Sequence, residues 1–79
     1  MIMTLEKLKE GMPAVVKQVH GGHKVRQRLG GQGIHVNDTL KVLRTGFLGG
    51  PVLIQIHGTE VGIGHGMAEK IEVEVMEEG

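Results

Sequence analysis

Five histidines are the side chains here best suited to chemistry: His20, His23, His35, His57 and His65. Imidazole binds divalent metals and exchanges protons near neutral pH. If the loop carrying His20 and His23 folds back, and Glu60 or Glu69 lies alongside, a divalent-cation site can be drawn. Zinc sites usually take cysteine or closely spaced histidine ligands. The chain has no cysteine, and its histidines follow no recognised spacing. Exposed loop histidines are the simpler reading, and no metal ligand is assigned. Nucleophilic triads fail outright, because the chain contains neither serine nor cysteine. Asp38 is the sole aspartate, and no paired carboxylates in an apolar cleft are evident. Neither Gly31-Gln32-Gly33 nor Gly62-Ile63-Gly64 completes Gly-x-Gly-x-x-Gly, and no Gly-Lys-Ser/Thr occurs. No catalytic residue and no cofactor are expected.

Composition narrows the partners. Phe47 is the one aromatic residue, which argues against bases stacked on rings and against a groove for proline-rich peptides. Formal charge is zero but unevenly placed. Residues 1–50 carry eight Lys/Arg against three Asp/Glu, and residues 51–79 carry one against six. Such asymmetry can orient a partner, or the halves can mix once a sheet forms. No nucleic acid is expected. The missing cysteines fit a reducing cytoplasm. No apolar run approaches the roughly 18 residues of a membrane span, so direct membrane insertion is not expected either.

The elements that must position these residues follow from periodicity. Apolar side chains alternate in Leu40-Val42, Val52-Ile54-Ile56, Val61-Ile63 and Ile71-Val73-Val75, so each run offers one oily face. With an earlier strand at 13–19, centred on Val15 and Val16, this predicts a mainly β fold. The expected form is a small, closed antiparallel barrel of about five strands with two or three short helices. Thr4 is expected to cap a helix ending at Gly11. A second helix is expected over 23–29, ended by the glycines that follow, and a single helical or 3-10 turn near 66–70. Asn37-Asp38 reads as a turn, since asparagine tolerates positive φ. One domain spans residues 1–79, with 1–3 and 76–79 frayed.

Phe47 and Leu48 sit at a loop tip between Gly46 and Gly49-Gly50. They either fold back to plug the barrel or stand out as an anchor for a partner. On the 23–29 helix, Val25 and Leu29, four apart, are expected to cover the barrel, leaving Arg26 and Arg28 free to meet an acidic surface. Val25, Arg26, Leu29, Phe47 and Leu48 are therefore the candidate partner-contact residues. A free sheet edge allows anything from a monomer to a weak homodimer.

The order of four landmarks resembles the ferrous iron transport protein A (FeoA) family. These are Leu5-x-x-Leu8-x-x-Gly11, Arg28-Leu29 followed by Gly33-Ile34, Leu48-Gly49-Gly50-Pro51-Val52, and Ala68-x-x-Ile71-x-Val73. The resemblance runs from about Thr4 to Val75. It departs at Val36-Asn37, where the family usually has Pro-Gly, and at His65, where the family often has a basic residue. It implies an SH3-like barrel, cytoplasmic and without enzymatic activity, acting on the membrane ferrous iron transporter FeoB. The same domain also occurs at the C-terminus of metal-dependent repressors of the DtxR type. With no helix-turn-helix upstream in this sequence, the transporter accessory is the expected role. A histidine-based metal-binding or metal-sensing module is the alternative.

Overall fold

Alternate residues of consecutive strands point inward and meet in one aliphatic core. The computed structural model describes residues 1–76. Its strands are β1 (Ile2–Thr4), β2 (Pro13–Val19), β3 (Thr39–Arg44), β4 (Val52–Ile56), β5 (Thr59–Ile63) and β6 (Ile71–Val75). Helix α1 spans His23–Gly31 and the single turn α2 spans His65–Ala68. Short 3-10 turns cover Leu5–Lys7 and Phe47–Gly49. Every neighbouring pair is antiparallel, in the order β1-β6-β2-β3-β4-β5.

Leu40, Val42, Val52, Ile54, Ile56, Ile63, Ile71 and Val73 are buried, as alternation requires. Val61 and Val75 pack against them, partly exposed. In β2 the centre shifts. Ala14 and Val16 are buried, whereas Val15 is only half-buried. A bulge between Val16 and Gln18 then adds one residue opposite β6. It reverses the parity, so that Val19 also faces the core. Among the described residues the buried set holds no polar or charged side chain.

Four expectations are corrected. The sheet has six strands, because Ile2, Met3 and Thr4 pair with Glu74, Val73 and Glu72 instead of fraying. Met76 is tied as well, its N–H donating to the Pro13 carbonyl at 3.0 Å; residues 77–79 lie outside the described residues. The sheet does not close, since β1 and β5 remain edges. Three-residue β1 is too short to seal that side, and Leu5, Leu8 and Ala68 add fully buried side chains from the turns instead. The first helix shrinks to Leu5–Lys7, and the Thr4 hydroxyl donates to Glu6 Oε1 (2.7 Å) rather than capping it.

Helix α1 runs two residues further than expected, through Gly30 and Gly31. It stops where Gly33 turns left-handed at φ +83°. Gly33 N–H then donates to Gly30 O (3.0 Å) and Ile34 N–H to Leu29 O (2.9 Å). That is the Schellman pattern, with buried Ile34 and Leu29 as its hydrophobic contact. The β4–β5 hairpin turns on His57 (φ 52°) and Gly58 (φ 73°). Two successive positive φ values make the type I′ geometry that matches strand twist.

Ile54 is fully buried at the centre of β4. Ile54→Ala is expected to lower unfolding free energy by about 2–5 kcal/mol, read as a fall in the urea midpoint. A loss under about 0.5 kcal/mol, the range typical of surface sites, would contradict this packing.

Candidate protein-interaction surface

The loop from β3 to β4 is pinched at its base and projects at its tip. A Cβ on Gly46 would lie 1.9 Å from the Gly50 carbonyl oxygen, so only glycine permits that approach. Gly50 N–H donates to Phe47 O at 3.0 Å and closes the turn. Leu48 stands at φ 53°, ψ 44°, a left-handed conformation that costs a non-glycine residue roughly 1–2 kcal/mol. Phe47 is 84% exposed and Leu48 90%. Neither folds back onto the core.

Backbone bonds place other apolar side chains along the same end of the sheet. Gly11 N–H donates to Val42 O (2.7 Å), Met76 N–H to Pro13 O (3.0 Å) and Val75 N–H to Met1 O (3.0 Å). Glu10 Oε1 accepts from Thr45 N–H at 3.2 Å. Exposed Met1, Met12 and Met76 therefore lie at the end that carries the Phe47–Leu48 tip. Sequence reading missed them because each flanks a strand and only register assembles them.

Helix α1 follows the other end of β2. The tip loop instead follows the Arg44 end of β3, which lies toward the Pro13 end of β2. Leu29 is fully buried, and its assignment as a contact is corrected: it anchors α1 to the core. Val25 is half-buried against that core. Arg26 is exposed, as are Lys24 and Arg28. Elsewhere the two charged halves mix, because β6 lies beside β2: Lys17 Nζ meets Glu74 at 3.4 Å and His20 Nε2 meets Glu72 at 2.6 Å. Lys24, Arg26 and Arg28 have no ion-pair partner among the described residues.

The histidines are distributed rather than gathered. Among the described residues no three His, Asp or Glu side chains are grouped so as to hold a metal ion. His65 Nε2 meets Glu69 at 3.1 Å, one turn along. Asp38 joins two turns: its Oδ2 accepts from His35 N–H (2.8 Å), and its Oδ1 lies 3.2 Å from His57 Nε2. Asn37, at φ 78°, supplies the left-handed residue of that turn. The His35 amide is the main reason that the Asp38 carboxyl is held below its ordinary 3.8. Partial desolvation opposes that effect, while the hydrogen bond from His57 and the charges of both imidazoles add to it.

Fold and surface together define a small SH3-like β domain whose distinctive features all lie on its exterior. The FeoA domain family model matches residues 3–75. The chain belongs to the FeoA domain family. It is 42% identical over 71 residues to a Methanocaldococcus jannaschii protein provisionally named Fe(2+) transport protein A, covering 90% of this chain and 84% of that one. Among solved structures it is similar to an iron uptake regulatory protein, FeoA (TM-score 0.90, 30% identity, 96% of this chain and 100% of that chain). It is also similar to the FeoA protein of Chlorobium tepidum (TM-score 0.84, 35% identity, 95% and 71% covered). Among the described residues no helix is long and apolar enough to cross a membrane.

Two outcomes follow. Leu48→Gly removes left-handed strain but frees the unfolded chain by about 0.4–1 kcal/mol, so stability should stay level or rise by up to about 1.6 kcal/mol. A clear loss in urea denaturation would show that Leu48 serves the fold. For Asp38 the lowered folded value means stability that is present above 3.8 and lost as pH falls through the folded value. Asp38→Asn should therefore lower the urea midpoint at neutral pH, the gap narrowing as pH falls below 3.8 and through the lowered folded value. A gap independent of pH would rule out the carboxylate charge as its source.

Proposed function

We propose that this protein is a cytoplasmic accessory factor that binds the intracellular part of the membrane ferrous iron transporter FeoB. Through that contact it modulates ferrous iron uptake, without enzymatic activity of its own. The observation that carries this reading is the Phe47–Leu48 tip. Two large apolar side chains stand in water on a pinched loop, one of them in a backbone conformation that leucine disfavours. Strain of that kind persists where surrounding structure imposes it, and it clusters at functional positions. Family membership supports the iron context, as do the names of the M. jannaschii relative and of the iron uptake regulatory protein.

The action is a population shift. A stiff domain presents its tip in one geometry and binds one conformation of the transporter more tightly, favouring that state by the difference in affinity. Apolar anchors at the centre of a contact carry most of its energy. No nucleic acid and no bilayer insertion are needed.

Purification of the tagged chain from detergent-extracted membranes is expected to bring the transporter with it. Phe47→Ser/Leu48→Ser should weaken that association by at least about 2 kcal/mol, roughly thirtyfold, with the urea midpoint unchanged. Undiminished recovery of the transporter with a folded double variant would remove the tip from the contact.

A further inference from the structure

The end opposite the tip carries a concave site. A cavity of about 210 Å³ is lined by Val19, Arg26, Ile34, His35 and Val36. Val19 and Ile34 form a buried floor, while Val36 is exposed at the rim. Its volume exceeds the roughly 150 Å³ apolar cavity that accepts a benzene-sized guest, so one branched aliphatic side chain fits.

The walls are held from several directions. Asn37 N–H donates to Val16 O and Val16 N–H to Asp38 O, both at 2.8 Å, which ties the 36–38 segment to β2. Ile34 is fixed to α1 through Leu29 O. The His35 ring lies against Gly30, where a Cβ would come within 3.3 Å of Nε2. A site held this way loses little freedom when it is filled.

Charge selects the guest. Arg26 lines the cavity, from an α1 that carries no acidic residue, and has no ion-pair partner among the described residues. Asp38, the acid nearest in sequence to the lining residues, is already engaged by His35 and His57. Bases have no ring to stack on here, since Phe47 lies at the opposite end.

We infer that this cavity receives one aliphatic side chain from an acidic segment of a protein partner, with Arg26 meeting a neighbouring carboxylate. The inference rests on the reading of this domain as a protein-binding module. It adds a second contact, of different chemistry from the tip.

The test is a display library of random 12-residue peptides, panned on the whole protein and on Arg26→Glu. Selected peptides should carry one Leu, Ile, Val or Met flanked by Asp or Glu. They should shift the methyl resonances of Val19, Ile34 and Val36, and bind at least tenfold more weakly when that aliphatic residue becomes glycine. Arg26→Glu should weaken them at least tenfold with an unchanged urea midpoint, and Arg26→Gln by less. Absence of enrichment, enrichment of basic or aromatic peptides, methyl shifts confined to other residues, or undiminished binding to folded Arg26→Glu would each overturn the inference. The screen contains no transporter. Its failure therefore leaves the transporter reading standing, and a failed co-purification leaves the peptide result standing.

Discussion

The last strand lies between the first two, and the rest of the molecule depends on that placement. β6 pairs with β1 on one side and β2 on the other. Its Ile71 and Val73 are wholly buried. The core is aromatic-free and entirely apolar, so its hydrophobic stabilisation comes from aliphatic area. Removing β6 would expose the inner faces of two neighbours together. The same placement sets the electrostatics. The acidic strand pairs with Lys17 and His20 on β2, and the cations of α1 are among those left without an ion-pair partner among the described residues.

A domain this small has few large apolar side chains to spare, and most of these are inside. That makes the exceptions meaningful. Single exposed hydrophobic residues are ordinary. Two adjacent ones at a tip closed by a steric pinch at Gly46, with Leu48 left-handed, are not explained by folding. The loop holds its shape through backbone contacts, so its side chains are free for another molecule.

Much of this was legible in residues 39–75, where alternation marks buried positions directly and the turns carry glycine. Failures came where position depends on partners distant in sequence. Ile2–Thr4 shows no strand pattern and becomes one only because β6, some seventy residues later, offers an edge. Val19 has the wrong parity until a bulge is inserted. Gly30 and Gly31 look like breakers, yet the Schellman bonds after them carry the helix through. Whether Phe47 and Leu48 turn inward was undecidable, because hydrophobicity favours burial while loop geometry decides reach. The cavity beside α1 was invisible for a similar reason: its walls come from β2, α1 and the 34–36 segment.

Val19 of the cavity and the base of the tip loop lie toward different ends of β2. On the proposed reading, two modest contacts on one body would act as a gauge. Once the first engages, the second becomes intramolecular, and its effective concentration is high only if the partner's two sites match the spacing. A partner that changes shape would satisfy both contacts in one state and one contact in the other. The difference in binding free energy between those states is what shifts their populations. A domain with no enclosed active site can thus regulate through geometry alone, because its core does not deform to follow the partner.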